Sequence, residues 1–577
     1  MKIKEKNPDT PTQTAVMELR PAAQVMRLSR LGSLFQNRLS FTRSLVRQMI
    51  GERWRIETER FALDDEGYGD AVYRIHTPAG LYSFVLFSRY LDPALRSDRV
   101  IAQQWDLAFA LCEGELTDAQ LDEMASNVPR QEAGRCSANV LTLSRANRSQ
   151  RNFEAVIERL AAGDQPEVGW FERVGYLYRT TAVYGNGKFG LADYDRLRDD
   201  ATFSRPFSAQ MFTVFMVRHF TLAQVEHIAV RRAPASAVRL DPAIKRYIGI
   251  GNSTGLGMAP FLISHPQLID RWVTQRETAI TGALAQTPTA DDLRRLTQLV
   301  SRAGKHMLET HTDDGEQADA DYRTVTELAA LQRWFAARRS TPLLTDWHTL
   351  VRHAERRWSL QTQELVNCLL LELYPNIVNP LENEMSVDAP ASMDSSASLD
   401  ELRLRIERHY DWALAYDFDD AKEQAFFWYR AAAKEEPRLG RRGEDSGAER
   451  EIALDIARSV RRCYDAIRRR LADQPQADVV DFLLATPEHR AIVRRIQNMS
   501  HLPYGEIRAN LLGRDCRPLD LLRCKLSFFG ASKFDPRSDR WVRITLFQGA
   551  PLVEDLAASD VEYDWLLPVR PTAKTAG

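Results

Sequence analysis

The region spanning residues 55–91 constrains the fold of this chain more than any other part of the sequence. Within it, AVYRIH (71–76) alternates between two sets of residues with a period of two, as in a strand buried on one side. The turn sequence TPAG separates it from LYSFVLFSRYL (81–91), which is almost continuously apolar or aromatic, as a central strand is. Together with RFALD and the turn-rich DEGYGD before them, these segments predict a three-stranded antiparallel meander.

Helical periodicity dominates most of the remaining sequence. Apolar residues recur at helical spacing within 31–54, and the pattern is helical again at 99–114, 116–128 and 149–163. Strand-like character returns near the end of the chain, in CKLSFFG and WVRITLF, which predict a terminal hairpin. The expected fold class is therefore mainly α with small antiparallel β elements (α+β), in a multi-domain chain whose bulk is helical.

A chain of 577 residues is long enough for two to four domains. We expect a flexible N-terminal tail at 1–30 and an α+β domain with the meander at 31–165. A mainly helical domain with the glycine-rich loops follows at 166–385. SVDAPASMDSSASLD, residues 386–400, is small, polar and acidic and predicts a linker. Residues 401–577 then form a C-terminal helical domain with the terminal hairpin.

The charge balance and the cysteines limit the possible partners and compartment. Lys and Arg number 77 and Asp and Glu 79, so nothing suggests a general electrostatic grip on nucleic acid or on an anionic membrane. No window approaches eighteen uninterrupted apolar residues, and the polar N-terminus does not resemble a signal peptide. The six cysteines form no C-x-x-C pair. We therefore expect a cytoplasmic protein without a metal site, a nucleic-acid partner or a membrane partner, and leave a homo-oligomer open.

The most unusual segment is IGIGNSTGLGMAPF, residues 248–261. Glycine is needed where φ is positive or where a ligand approaches the backbone closely. If a helix begins near Met258, its exposed N–H groups favour a phosphate or a carboxylate. The segment therefore predicts a glycine-rich loop over 249–257 that binds an anionic substrate or an unidentified cofactor. The residues expected to form it are Gly249, Gly251, Asn252, Ser253, Thr254, Gly255 and Gly257.

Known phosphate-binding motifs match this segment only in part. It lacks the Lys-Ser or Lys-Thr pair of a Walker A loop, and its spacing misses the dinucleotide fingerprint by one residue. The STGLGMA core resembles the phosphate loop of GHMP-type small-molecule kinases, roughly Pro-x-x-x-Gly-Leu-Gly-Ser-Ser. In this chain Gly251 stands in place of the proline, and Met258 and Ala259 replace the two serines that help to hold metal and phosphate in that family. Close packing at a tight turn is the alternative explanation for the glycines.

Two further polar segments contain glycine. RTTAVYGNGKFGLADYDRL, residues 179–197, holds an Asn-Gly turn signal that favours a hairpin. Alternatively, it is a mobile loop that brings Lys188, with Arg179 just upstream, to an anionic substrate. FFGASKFDPRSDRW, residues 528–541, combines a glycine with Lys533, Asp535 and Arg537, and we interpret it as a polar loop between two strands.

These observations favour a cytosolic enzyme of small-molecule metabolism that binds a phosphorylated or carboxylated ligand. Arg179 and Lys188 supply the positive charge for catalysis if the two glycine-rich loops converge, which is a hypothesis at this stage. Because redox fingerprints and metal-ligand patterns are absent from the sequence, a transferase or a lyase is the least strained reaction class. The alternative is a non-catalytic helical scaffold or regulatory protein whose loops serve packing. A nucleic-acid partner is a third possibility, which predicts a contiguous basic face.

Overall fold

The computed structural model describes residues 18–92, 94, 104–128, 137–183, 191–192, 194–255, 262–263, 265–337, 344–385, 392–418, 427–431, 437–440, 451–453, 456–508, 519–538, 541–557 and 565–571. The strands in these residues are β1 Arg55–Leu63, β2 Gly69–Thr77, β3 Gly80–Ser88, β4 Leu107–Glu113, β5 Val140–Arg148, β6 Tyr176–Thr180, β7 Leu191–Ala192, β8 Gly249–Gly255, β9 Phe427–Ala431, β10 Pro437–Gly440, β11 Glu451–Ala453, β12 Lys533–Ser538 and β13 Trp541–Leu546.

The α-helices of the same residues are α1 Ala22–Val25, α2 Leu28–Leu31, α3 Phe41–Gly51, α4 Asp118–Asn127, α5 Asn152–Ala161, α6 Trp170–Arg173, α7 Tyr194–Asp199, α8 Ser208–Arg232, α9 Pro242–Tyr247, α10 Pro266–Leu284, α11 Ala290–Glu309, α12 Gly315–Ala337, α13 Trp347–Arg357, α14 Leu360–Leu371, α15 Pro375–Val378, α16 Leu399–His409, α17 Asp411–Leu414, α18 Ile456–Asp473, α19 Val479–Ala485, α20 Arg490–Met499 and α21 Leu519–Lys525. Shorter 3₁₀ turns occupy Asn379–Glu384, Pro487–His489 and Val553–Asp555, and a π-helical turn occupies Leu526–Gly530.

A mixed sheet organises the molecule. In the described residues it has ten strands, nine of them in the order β1-β2-β3-β4-β5-β6-β8-β13-β12, while β7 pairs with β5 beside that path. The pairings are antiparallel except for β6 with β8, which run parallel. A separate small sheet has the order β10-β9-β11. The end of the chain thus completes the sheet that the N-terminal strands begin.

The predicted fold class, mainly α with small antiparallel β elements, is wrong. The three strands expected within 55–91 are present as β1, β2 and β3, but they are only one edge of the large mixed sheet. Strand β4 lies within a segment predicted to be helical. Its residues are buried on both faces of the sheet, and a strand covered on both sides shows a continuous apolar run instead of alternation.

Helix α8 is the central element on one face of the sheet. It runs for 25 residues, contacts β4, β5, β6 and β8, and packs beside α3 and α5. Its buried residues lie on almost every side of the helix, as expected for a helix that is covered on most sides. Helix α4 covers part of the opposite face, where Met124 and Val128 join residues of β2 to β5 in a smaller core. Polar side chains of β12 and β13, together with Tyr176 of β6, line a common cleft.

Two helical regions lie outside the sheet core. Helices α11 to α14 share one hydrophobic cluster, and α16 to α20 share another. Residues 386–391 of the predicted linker lie outside the described residues, and the linker ends where Leu399 begins α16. The predicted domain boundaries stay predictions. Within the described residues, no helix combines the length and the apolar character that crossing a lipid bilayer requires.

Candidate functional site

The glycine-rich segment is a strand over most of its length, so the predicted loop at 249–257 is wrong for residues 249–255. These residues form β8, which lies between β6 on one side and β13 on the other. Its pairing with β13 places Gly251 opposite Thr545 and Ser253 opposite Arg543. The sequence suggested a loop because glycine is rare in strands. In a strand with close neighbours on both sides, however, glycine allows those neighbours to approach the backbone closely. Gly257 lies outside the described residues.

Close packing explains two of the glycines. A Cβ atom on Gly251 would lie 2.6 Å from ring atoms of Tyr176, and one on Gly249 would lie 2.5 Å from the carbonyl oxygen of Leu546. Real Cβ atoms do not approach other heavy atoms this closely. Gly251 thus lets the Tyr176 ring lie against the backbone of β8. Packing, the alternative explanation offered by the sequence, accounts for Gly249 and Gly251.

Arg179 and the glycine-rich segment are neighbours in the sheet. Arg179 is the Cα partner of Gly251 in the parallel pairing of β6 with β8, and directly paired residues share one face. Asn252 is paired with Thr180, and its side-chain Nδ2 donates a hydrogen bond to the Thr180 carbonyl at 3.0 Å. The Asn252 amide is therefore used between the two strands.

The other predicted site residues are placed only in part. Thr254 pairs with Val542 and Gly255 with Trp541 through the backbone of β8 and β13. Lys188 lies outside the described residues, as does most of the loop predicted around it. The strands on either side of that loop, β6 and β7, each pair with β5 and not, in the described residues, with each other. The structure thus brings Arg179 to the glycine-rich strand.

A narrow cleft lies on the sheet beside β8, where Tyr176, Thr545 and Arg543 contribute to its wall. We call it the sheet cleft. It measures about 290 Å³ including its open mouth, and it holds little more than one water molecule unless the side chains at its rim move apart. Its charged and aromatic lining residues are Arg173, Tyr176, His311, Lys533, Phe534, Asp535 and Arg543.

Lys533 is the most unusual group in the sheet cleft. It is 7% exposed, and its Nζ donates hydrogen bonds to the carbonyl oxygens of Phe171 at 2.5 Å and Glu172 at 2.8 Å. Burial lowers the pKa of the Lys533 ammonium to about 7, against the charges of Glu172, Glu309 and Asp535, which raise it. A lysine with this pKa exchanges its proton near neutral pH.

Asp535 holds Arg543 in position across the strand pair. The two residues are partners in the β12–β13 register, and Arg543 donates from Nε and Nη2 to one Asp535 oxygen at 3.1 and 2.8 Å. Burial raises the pKa of the Asp535 carboxyl, while Arg543 and Arg537 pull it down. Arg537 also lies 2.7 Å from Asp313. The guanidinium of Arg543 is thus fixed at the cleft wall by a charged partner.

The rim of the sheet cleft is more open. Arg173, at the end of α6, is exposed, and the His311 ring nitrogen Nε2 lies 3.6 Å from a Glu172 oxygen. Among the lining side chains, Arg173, Lys533 and Arg543 are basic and Asp535 is acidic, and His311 adds a charge when protonated. The lining therefore has an excess of hydrogen-bond donors and positive charge, which suits a carboxylate or a phosphate.

The C-terminal residues of this cleft lie in a segment whose predicted structure is wrong. Strand β12 lies within residues 528–541, predicted to be a polar loop, and CKLSFFG (524–530), predicted to be the first strand of the hairpin, is helical. One signal was available: Lys533, Asp535 and Arg537 are spaced by two residues, which places them on one face of a strand. Proline at position 536 hid this signal because it normally argues against a strand.

Neither metal ligands among the described residues nor related proteins identify a function for the cleft. In the part of the chain that the structure describes, no group of three or more His, Cys, Asp or Glu side chains could hold a metal ion. No family model matches the sequence, and neither the curated proteins nor the solved structures contain a significant match to this chain.

Proposed function

We propose that this protein binds a small ligand carrying a phosphate or carboxylate in the sheet cleft, and that it acts on that ligand as an enzyme of the transferase or lyase class. The observation that supports this most strongly is the position of Lys533, a buried amine in a cleft that also holds Arg173 and Arg543. Cations of fixed geometry bind an anion, and an amine that loses its proton near neutral pH supplies reactivity.

The hydrogen bonds of Lys533 suit an amine that reacts. A neutral amine has two N–H groups and one lone pair, and the carbonyls of Phe171 and Glu172 can accept both N–H groups. The fourth tetrahedral direction is then free for the lone pair, or for a third proton when the amine is charged. With a pKa of about 7, Lys533 spends a substantial fraction of its time in each form at neutral pH.

Arg173, Arg543 and His311 are the groups that we propose to hold the anionic part of the ligand. Arg543 is kept in place by Asp535, whereas Arg173 and His311 are exposed enough to close over a ligand. A guanidinium can bind a phosphate or a carboxylate with two parallel hydrogen bonds, which orients the ligand as well as attracting it.

For a ligand that also has a carbonyl group, the expected chemistry is imine formation. The Lys533 nitrogen attacks the carbonyl carbon, a C–N bond forms, and the carbonyl oxygen leaves as water with the two protons of the amine. The imine nitrogen takes up one proton from solvent, and the protonated imine then accepts the electron pair of a neighbouring bond that breaks, which is a lyase or transfer reaction. A cytoplasmic location belongs to the proposal, since Cys368, Cys463 and Cys524 are free and buried.

A thermal-shift screen with 2-oxo acids, sugar phosphates and dicarboxylates tests the proposal. A ligand at a hundred times its dissociation constant stabilises the fold by about 2.7 kcal/mol. We expect Arg173→Gln to raise the dissociation constant of a ligand found in this screen by roughly tenfold or more, in line with the loss of one charge-assisted hydrogen bond. Arg352→Gln, which changes another exposed arginine, is the matched control. Borohydride reduction with a carbonyl ligand should add the mass of the ligand less one oxygen atom to the wild type and not to Lys533→Met.

One observation favours the alternative, a non-catalytic scaffold or regulatory protein. Gly249, Gly251 and Asn252 are used in the packing and pairing of β8. If no anion raises the melting temperature and borohydride leaves no adduct, the scaffold becomes the better interpretation.

A further inference from the structure

A second cleft lies at the N-terminal helices, on different elements from the sheet cleft. It is bordered by α1, α2 and the first residue of α14, and it measures about 650 Å³ including its open mouth. We call it the arginine cleft. Its described polar lining side chains can all donate hydrogen bonds, and none of the lining residues in the described part of the chain is acidic. These polar residues are Gln24, Arg27, Ser29 and Arg30.

Arg30 connects the arginine cleft to a buried group of charges. Its Nη1 donates to Glu364 at 2.6 Å, and its Nη2 lies 3.3 Å from the side-chain oxygen of Gln363. Glu364 also accepts hydrogen bonds from Arg20 and Arg276. Arg30 is only 8% exposed, so the fold fixes the position of its guanidinium at the wall of the cleft.

The buried group has one more positive charge than negative charge. Arg20 and Arg276 also donate to Glu277, so three guanidiniums hydrogen-bond with two carboxylates. Despite burial, which acts to raise it, the pKa of Glu364 is held well below its usual range by Arg20, Arg276 and Arg30. Both carboxylates are thus committed to the network, and the surplus positive charge is left beside the cleft.

The outer side of the arginine cleft adds further positive charge. Arg27 is exposed, and its Nε donates to the Ala23 carbonyl at 2.9 Å. Arg27 and Arg508 form an isolated backbone bridge. Burial lowers the pKa of Arg508, Asp411 raises it, and the charge of Arg27 lowers it again. Like charges held this close favour a bound anion, which relieves their repulsion.

Helix α14 begins at the same place. Ser359 caps the helix by accepting a hydrogen bond from the Thr362 N–H, and Leu360, the first helical residue, lines the cleft. The N-terminal end of this twelve-residue helix is thus at the cleft wall, and the Glu327 carboxylate already accepts hydrogen bonds there from the Ser359 N–H and hydroxyl. The attraction for an anion therefore comes from the fixed guanidinium of Arg30 and the exposed guanidinium of Arg27.

We infer that the arginine cleft binds a soluble small molecule through a phosphate group, held by Arg27, Arg30 and the Ser29 hydroxyl. A doubly charged phosphate matches two guanidiniums better than a singly charged carboxylate does. Among the lining residues that the structure describes there is no amine, imidazole, thiol or carboxylate to act as a base or to activate the Ser29 hydroxyl, so we expect this ligand to be bound and not transformed. The site is therefore an effector site, independent of the chemistry proposed for the sheet cleft.

Hydrogen–deuterium exchange of the full chain with inorganic phosphate tests this inference and localises the binding. Ionic strength is kept constant with sodium chloride, and acetate is the comparison anion. We expect phosphate to slow exchange saturably in peptides that cover residues 20–31 and 359–363. Arg27→Gln should raise the phosphate concentration for half-saturation by roughly tenfold, while Arg352→Gln, an exposed arginine on α13, leaves it unchanged.

The outcomes separate this inference from the proposed function. Lys533→Met should leave the protection at 20–31 intact, whatever it does to the sheet cleft. The inference is overturned if phosphate gives no protection there, if acetate protects equally well, or if Arg27→Gln responds to phosphate like the wild type. Binding only to vesicles of phosphatidic acid, and not to free phosphate, would overturn it as well, because the ligand would then be a lipid headgroup.

Discussion

Two buried cations in this protein, Arg276 and Lys533, have different kinds of hydrogen-bond acceptor around them. Arg276 is fully buried and donates to carboxylate oxygens of both Glu277 and Glu364. Lys533 is nearly as buried, but its ammonium donates to two backbone carbonyls, while the nearby Asp535 is engaged by Arg543. A buried cation with carboxylate partners keeps its charge and holds elements together, whereas one with only neutral acceptors can lose its proton.

The buried group of charges formed by Arg20, Arg30, Arg276, Glu277 and Glu364, here called the arginine network, also joins distant parts of the chain. Arg20 and Arg30, at the N-terminal end of the described residues, bind to Glu277 on α10 and Glu364 on α14. The sheet cleft, by contrast, has Lys533, Asp535 and Arg543 on two neighbouring strands, and its Lys533 does not tie two elements together through a carboxylate. The comparison predicts that damage to the network costs stability, while changes in the cleft alter pH dependence and ligand binding.

The largest effect is expected for Glu364→Gln. This change leaves Arg20 and Arg276 with Glu277 and removes the carboxylate to which Arg30 donates, and breaking a buried ion pair from one side costs about 3–5 kcal/mol. The measurement is the free energy of unfolding from urea denaturation at neutral pH.

The matched control is Glu401→Gln, which removes a carboxylate from an exposed pair with Arg405 on α16. Surface pairs contribute roughly 0–1 kcal/mol, so this variant should unfold close to the wild type. Equal losses in the two variants would contradict the distinction between the buried network and ordinary surface pairs.

A smaller loss, up to about 3 kcal/mol, is expected for Gly251→Ala, since overpacking in a close-packed region costs roughly 1–3 kcal/mol. The added methyl would overlap the Tyr176 ring at the wall of the sheet cleft. Gly80→Ala is the control, because a Cβ atom at this strand position meets nothing within 4 Å. In the double variant with Tyr176→Ala, the alanine at 251 should cost much less, and a purely additive double variant would show that the ring is not the cause.

Local features could be predicted from the sequence, whereas the pairing of distant segments could not. The alternation at 71–76 identified β2 because one face of it is more buried than the other. No such pattern marks β4, whose residues are buried on both faces, or the parallel pairing of β6 with β8. That pairing decides whether Arg179 lies near the glycines, and a single sequence contains no signal for it.

The candidate site was missed for a related reason. The glycines of β8 drew attention to a loop, although Gly249 and Gly251 serve to admit the backbone of β13 and the Tyr176 ring. Lys533 appeared as one charged residue in a polar segment, and nothing local indicated that the carbonyls of Phe171 and Glu172 would surround its amine. Burial of a lysine is a property of the assembled sheet, so its lowered pKa could not be predicted from the neighbouring residues.

The smallest expected effect is also the most specific to Lys533. Its pKa is about 7 in the folded chain, compared with about 10.4 for an unperturbed lysine, so the unfolded state binds more protons between these two values. The free energy of unfolding should therefore rise with pH, by about 2 kcal/mol between pH 7 and pH 9, and the contribution levels off below pH 7, where both states are protonated. Urea denaturation across this range measures the rise.

Lys533→Met isolates this contribution from other titrating groups. The variant leaves the carbonyls of Phe171 and Glu172 without their donor, so its absolute stability is a poor guide to the role of the charge. The pH dependence of its stability is a better guide. The difference between the free energies of unfolding of the wild type and the variant, followed against pH, contains only the titration of Lys533. A constant difference from pH 7 to pH 9 would mean that Lys533 stays fully charged in the folded protein. It would then resemble the network arginines, and the amine chemistry proposed for the sheet cleft would lose its basis.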